Sequence, residues 1–366
     1  MRWSFRIARV AGIDVKIHAT FLILLVWIGW ANYRATQSAQ AVIAALVMIL
    51  LLFASVLLHE FGHAMVARRY GIKTKDITLL PIGGVAALER MPKNPRHELA
   101  VAVAGPAVNV VIAAVLFVAL GWIGRLDLPG VPELPGTGIL AQVLFANTAL
   151  AVFNLLPAFP MDGGRVLRAL LAIRLGHLKA TQIAASVGQG MALLLGLIGL
   201  VWNPILVFVA LFVWLGASEE GKHSMLQSAM EGISVGAAMA RDVRALAPDD
   251  RLDKAVAHIL EGHQEDLPVL QGTTVVGVLT RSKLLHALAS VGPEARVGDV
   301  MATDIQVAYP DEMLAGAHAR LQEGGCDSMP VVDDTGRLVG ILTTENIGDL
   351  LLIQAALRDR NRSAQR

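Results

Sequence analysis

Five consecutive residues, His59-Glu60-Phe61-Gly62-His63, carry the sharpest chemical signal in the chain. On a helix, positions i and i+4 share a face. Two imidazoles so placed can hold one metal ion, and Glu60 beside the first can reach water at that metal. This is the arrangement of a zinc hydrolase. The plainer alternative is a helix end where polar residues meet water. Some eighteen apolar helical residues precede the motif, however, and ionisable groups at the end of such a run are costly unless something pairs with them. A zinc ion would do so.

Zinc needs a third protein ligand and an open position. A second polar segment, Asn154-Leu-Leu-Pro157-Ala-Phe-Pro160-Met-Asp162-Gly163-Gly164-Arg165, ends another apolar run. Pro157 and Pro160 break the helix, Gly163-Gly164 permit backbone close to a metal, and Asp162 is the obvious oxygen ligand. Asp-Gly-Gly is also common turn chemistry, so an ordinary loop cap is the competing reading.

The elements that must position these residues are apolar. Of 366 residues, 55% are hydrophobic and 17% charged, against about 25% charged in soluble domains, and mean hydropathy is +0.57. Six apolar runs lie at about 19–33, 41–66, 99–120, 139–157, 182–202 and 204–217. The fifth and sixth are separated only by Trp202, Asn203 and Pro204, which makes a tight turn or one broken helix. Segments 1–18, 67–98 and 158–181 hold four, seven and four Lys/Arg, whereas 34–40 and 121–138 hold one each. That alternation predicts six spans with both termini cytoplasmic. Runs two and four then travel in the same direction, so His59, His63 and Asp162 end at similar depth, just inside the cytoplasmic face.

Residues 1–18 alternate loosely and predict an interfacial strand or hairpin; they do not read as a cleaved secretory signal. The Gly- and Pro-rich loop at 121–138 reads as an external connection. Segment 76–88 reads as two short strands around Gly83-Gly84, a glycine hinge near the metal whose edge an extended substrate could pair with; a structural re-entrant loop is the alternative. Net charge is +1, which names no nucleic-acid partner. The single cysteine, Cys326, excludes an intrachain disulfide and a thiolate zinc site, and reads as a buried small side chain. His18 reads as interfacial and His97 as a cytoplasmic cap. Asn109 is placed either to pack against the site or to bond another helix.

From residue 233 the composition turns soluble and repeats. Val235, Met239, Pro248, Gly262 and Pro268 recur 62 residues later as Val297, Met301, Pro310, Gly324 and Pro330. Gly277 and Thr280 recur 63 later as Gly340 and Thr343. Each unit reads strand, helix, strand, strand, helix, a true internal repeat.

Taken together, His59-Glu60-Phe61-Gly62-His63, the Asn154 to Asp162-Gly163-Gly164 segment and Ala104-Gly105-Pro106-Ala107-Val108-Asn109 closely resemble the site-2 protease family of intramembrane metalloproteases, in the branch with paired CBS domains. The resemblance covers nearly the whole chain. It implies one Zn2+ held by His59, His63 and Asp162, Glu60 as catalytic base, and Asn154 holding the scissile carbonyl or the oxyanion. It also implies an edge-pairing, substrate-binding role for Gly83 and Gly84. The repeats resemble a tandem CBS pair, which implies an adenine nucleotide near Thr280, Lys283, Thr343 and Asn346. The family often has a carboxylate at the positions of Lys283 and Asn346, and its absence here leaves a dimerisation module as the alternative.

The expected fold is thus a polytopic α-helical membrane protein, with about six transmembrane helices and short membrane-associated strands, plus a soluble α/β tandem CBS domain. Expected boundaries are 1–217 for the transmembrane protease, 218–232 for a linker, 233–294 and 295–355 for the two repeats, and 356–366 for a polar tail. The expected function is hydrolysis of peptide bonds in or near transmembrane segments of single-span substrates in the cell membrane, modulated by the cytoplasmic CBS pair, with a homodimer through that pair and the lipid bilayer as further partners. A divalent-cation transporter with CBS domains is the rival reading; transport needs no general base, and Glu60 argues against it.

Overall fold

A computed structural model describes residues 3–81, 83–89, 92, 94–122, 138–262 and 264–364. The external connection expected at 121–138 falls almost wholly outside the described residues. The chain divides into two compact units, Met1–Ser224 and Met225–Arg366.

The first unit opens with a hairpin, β1 (Ser4–Val10) and β2 (Ile13–His18). Its turn places Ala11 and Gly12 at positive φ, where glycine is unstrained. His18 then caps α1 (Ala19–Thr36) by accepting from the Thr20 backbone N–H, so it starts a helix. Ser38 caps α2 (Ala39–Arg69) in the same way. After α2 come β3 (Thr74–Leu80), β4 (Gly83–Leu88) and α3 (Pro95–Trp122). Then follow α4 (Ile139–Asn154), α5 (Asp162–Leu175), α6 (His177–Trp202) and α7 (Pro204–Ala229).

Each of the six apolar runs is found as a helix. Four of these helices, α2, α3, α6 and α7, are long and apolar enough to cross a membrane. The other two, α1 and α4, have 18 and 16 residues, and 16 residues rise only about 24 Å against a hydrocarbon core of about 30 Å. Large apolar side chains such as Val26, Leu200 and Phe208 are at least 73% exposed. Outward-facing apolar surface on this scale is tolerated when lipid covers it. Asn203 is extended and its side chain accepts from the Ile205 N–H, while Gly199 lies so close to Val207 that a Cβ would come within 2.8 Å of its nitrogen. The junction of α6 and α7 is therefore a tight turn.

The strands form one sheet in the order β1-β2-β3-β4, in which β2 and β3 run parallel and the other pairs antiparallel. The parallel pair needs a long crossover, supplied by α1 and α2. This leaves β4 as an edge. Gly83 and Gly84 are the first residues of β4, not the connection between strands that the sequence suggested; β3 already ends at Leu80. Segment 218–229, expected to be linker, is the last part of α7.

The second unit holds two copies of one pattern. The first comprises α8 (Val235–Ala238), α9 (Leu252–Glu261), β5 (Leu267–Gln271), β6 (Thr274–Leu279) and α10 (Arg281–Ser290). The second comprises α11 (Val297–Val300), α12 (Leu314–Gly324), β7 (Ser328–Val332), β8 (Leu338–Thr343) and α13 (Thr344–Ala364). The first strand expected in each copy is reduced to a single parallel bridge, Leu246 to Val269 and Ala308 to Val331. The copies interlock. A Cβ on Gly277 would meet Met301 Sδ and one on Gly340 would meet Met239 Sδ. Val235 and Ala238 sit in the core of the second copy, and Val297 in that of the first. The recurring Val, Met and Gly positions are thus the residues each repeat exchanges with the other. Cys326 is exposed rather than buried. It follows the left-handed cap Gly325 of α12, and the adjacent core is already filled by Leu321 and Met329.

Candidate metal centre

His59 and His63 lie one turn apart on the final third of α2, and both are buried. Asp162 is the first residue of α5, also buried. Its Oδ2 lies 3.2 Å from His59 Nε2 and 3.1 Å from His63 Nε2, and the two Nε2 atoms are 3.1 Å apart. Three lone-pair donors thus form a nearly equilateral triangle. Tetrahedral zinc with bonds of about 2.0–2.1 Å separates its ligands by about 3.3 Å, so the cluster fits that ion closely. Among the described residues it is the one group of three or more His, Cys, Asp or Glu side chains placed to hold a metal.

The protonation of both imidazoles follows from their outer nitrogens. His63 Nδ1 lies 2.7 Å from the Val101 carbonyl, which can only accept, so Nδ1 carries the proton. For His59 the argument runs through three side chains. Asn147 Nδ2 donates to the Val143 carbonyl at 2.9 Å and to Ser55 Oγ at 3.0 Å, which fixes the orientation of that amide. Asn147 Oδ1 therefore accepts from Asn109 Nδ2 at 2.9 Å. Asn109 Oδ1 is left facing His59 Nδ1 at 2.5 Å, and His59 donates. Both Nε2 atoms are then left unprotonated at corners of the triangle. Asn109 and Asn147 are fully buried, and outer partners of this kind orient metal-binding histidines.

Glycines permit the close approach. A Cβ on Gly105 would stand 2.6 Å from His59 Nε2 and still closer to His63 Nε2. A Cβ on Gly62 would meet the Ala104 carbonyl at 2.7 Å. Gly62 and Gly105 thus let α2 and α3 meet with the imidazoles between them. Gly163 and Gly164 lie against the backbone of Leu155, Leu156, Ala158 and Phe159, where a Cβ would come within 2.6 Å of the Phe159 nitrogen. They seat the first turn of α5 on the broken end of α4 and so bring Asp162 inward.

Glu60 follows His59 and is half-buried. A Cβ on Gly84 would meet its Cγ at 2.7 Å, so edge strand β4 runs directly over the carboxylate. Asn154 closes α4, half-buried, and makes no hydrogen bond to the cluster among the described residues. His97 stacks on Tyr70 at 4.0 Å and is not part of the centre. Asn109 both packs against the site and bonds another helix. The sequence did not single out Asn147 or Ser55; a polar pair facing into two apolar helices was the available signal.

In the second unit, Thr343 and Asn346 line a cavity of about 660 Å³ and bond each other at 2.7 Å. Thr280 and Lys283 occupy the equivalent positions of the first copy, where Thr280 caps α10 through the Lys283 N–H, and they do not line that cavity. Its walls carry Asp242, Glu265, Asp266, Asp327, Glu345 and Asp349 against one guanidinium, Arg244, which pairs with Glu261.

The chain matches the sequence pattern of peptidase family M50 over residues 47–128 and 133–197. It matches that of the CBS domain over 235–290 and 297–352. It is 36% identical over 280 residues to a zinc metalloprotease of Methanocaldococcus jannaschii, covering 76% of this chain and 78% of that one. A protein of Synechocystis bearing the zinc metalloprotease name is 30% identical, with 97% of each chain covered. Among solved structures, a site-2 protease from Methanocaldococcus jannaschii is 40% identical, with a TM-score of 0.44 over 60% of this chain and 95% of that one.

Proposed function

The chain belongs to peptidase family M50, the site-2 proteases, with a tandem CBS pair appended, and from that premise we propose that it cuts single-span membrane proteins in or beside their transmembrane segments, using His59, His63 and Asp162 to hold its zinc. The observation that carries this reading is the triangle of donor atoms with 3.1–3.2 Å edges at the buried end of an apolar helix.

Bound zinc supplies Lewis acidity at the reacting carbonyl and makes water a nucleophile at neutral pH. The residues around it do the rest. Val101 and Asn109 keep the two Nδ1 protons in place, so the Nε2 atoms remain free to coordinate. Glu60 takes the proton of the attacking water on its carboxylate and hands it to the leaving amide nitrogen. The Asn154 side-chain amide donates to the carbonyl oxygen of the scissile bond as charge develops there. A transmembrane helix hides its peptide bonds, so the substrate must unwind. The free edge of β4, beginning at Gly83 and Gly84, offers it backbone pairing beside Glu60.

The charge alternation supports six spans, with both termini and residues 233–355 on the cytoplasmic side. It supports a division into the protease at 1–217, a connection at 218–232, repeats at 233–294 and 295–355, and a tail at 356–366. The CBS pair modulates the protease and can join two copies of the chain. An adenine nucleotide at Thr343 and Asn346, or at Thr280 and Lys283, is the proposed signal; at the former it must enter among six carboxylates, which selects against a bare polyphosphate.

The test is incubation of the purified full-length protein with a set of single-span substrates, with and without a chelator, and mapping of cut sites by mass spectrometry. Chelator-sensitive cuts within or beside the spans are expected. Metal flux in liposomes without any cleavage would instead favour a transporter.

A further inference from the structure

Asp162 opens α5, so its carboxylate is only as well placed as the first turn of that helix. The preceding residue, Met161, contributes no side-chain cap. What fixes the turn comes from other helices. Val213, Gly216, Ala217 and Glu220 form one stripe along α7. Val213 packs with Ala158 and Met161. Gly216 lies against the Pro160 ring, where a Cβ would come within 2.6 Å. Ala217 packs with Phe159, and Glu220 pairs with Arg168 of α5. The stripe thus covers the whole segment that leads into Asp162.

Arg168 joins this stripe to the rest of the centre. It is 3% exposed. Its Nε and Nη2 both lie 2.6 Å from Glu98 Oε1, and its guanidinium lies over the Phe159 ring at 5.1 Å. Glu98 is in the first turn of α3, the helix whose Val101 and Asn109 hold both imidazoles. Among the described residues the other carboxylate oxygen of Glu98 is buried with no hydrogen-bond partner, and Arg168 is the side chain that holds Glu98. Burying a guanidinium against carboxylates gains little net stability over apolar packing; what it fixes is geometry.

We propose that Arg168 is a positioning residue for the metal centre. It sets α5 against α3 at the separation where Asp162 completes the triangle with His59 and His63. The proposal rests on the reading of those three residues as the zinc ligands. Because α7 continues past Ser224 to Ala229, the helix that carries Glu220 is also the covalent connection to the second unit.

The experiment uses the full-length zinc-loaded protein in detergent. The rate of zinc transfer to a chromogenic chelator is measured beside thermal melting for wild type, Arg168→Met, Arg168→Lys, Glu220→Gln and His59→Ala. Arg168→Met should release zinc about tenfold faster, at the lower end of the effect of losing a group bonded directly to a ligand, because Arg168 acts on Asp162 through the placement of α5. Arg168→Lys should recover part of that loss, and Glu220→Gln should show a smaller change in the same direction. On a cleavable single-span substrate kcat should fall while KM holds. Wild-type zinc transfer from Arg168→Met, with or without a lower melting temperature, makes Arg168 purely structural and overturns the proposal. If Arg168→Met does not fold, Glu220→Gln decides, and wild-type zinc transfer from it has the same consequence. Zinc held equally by wild type and His59→Ala overturns the ligand assignment itself, and the proposal with it.

Discussion

Asn109 Oδ1 lies 2.5 Å from Nδ1 of His59, and the proton between them is assigned by a backbone carbonyl two side chains away. The Val143 carbonyl orients Asn147, Asn147 orients Asn109, and Asn109 leaves His59 a single tautomer. Removing the middle of this relay should loosen the metal without abolishing the fold. Asn109→Ala is expected to weaken zinc binding by about 10–100-fold and to destabilise the helices by about 1–3 kcal/mol, because Asn147 loses its donor inside the protein. Competition with a chelator of known affinity measures the first effect, and thermal melting the second.

Gly105 should tolerate no side chain. Alanine there would place a methyl between the two Nε2 atoms. Gly105→Ala is expected to lower bound zinc to background by elemental analysis, with the helical content of the protein retained. Normal zinc content would mean that α2 and α3 separate more easily than their packing at Gly62 implies.

Glu60 and Gly84 separate chemistry from metal binding. Glu60→Gln keeps the shape and loses the base, so cleavage should fall by at least about 100-fold while zinc stays bound. Gly84→Val pushes a side chain into the Glu60 carboxylate, and Gly84→Pro removes a backbone N–H from β4. Both should impair cleavage of single-span substrates and leave zinc in place. Normal cleavage by Gly84→Pro would count against substrate pairing on that strand.

In the second unit, the reciprocal contacts of Gly277 with Met301 and Gly340 with Met239 predict matched effects. Gly277→Val and Gly340→Val should each cost about 1–3 kcal/mol through overpacking, read as a lower melting temperature of that unit in the full-length protein. Met301→Ala should recover part of the loss in the first variant only. Equal rescue of both variants would contradict the exchange.

Acid should weaken the same unit through Asp250. Partial burial pushes its pKa up, but the Ala247 N–H and the Lys254 ammonium, each at 2.7 Å, outweigh that and hold it below its ordinary 3.8. A carboxyl depressed in the folded state contributes stability that is present above the unfolded value and lost as pH falls through the folded one. Wild type should therefore exceed Asp250→Asn in melting temperature near neutral pH, and the gap should close below about pH 4. A gap that widens in acid would reverse the assignment.

Much of this architecture could be read in the residues. Two histidines four apart need only a helix to share a face, and an apolar run specifies that helix. Repetition at 62 and 63 residues announces two like units, because copies of a sequence meet the same local rules. The helical end at Asn154 was legible from Pro157 and Pro160, which cannot continue a helix. The four-residue steps and the prolines are local features, and local features are written along the chain.

What the chain order did not reveal is which faces meet. Asp162 reaches His59 across 103 positions and Asn109 reaches it across 50, and nothing periodic connects them. Gly83 and Gly84 looked like a hinge because glycine serves turns and close contacts alike; the structure gives them different needs, a positive φ of 139° at Gly83 and the packing of β4 on Glu60 at Gly84. Arg168, Glu98 and Glu220 lie on three helices and looked like ordinary helical charges. Side-chain chemistry and helical period are properties of a sequence. The distances that turn three donors into one site arise from the packing of α2, α3, α5 and α7, which no single segment specifies.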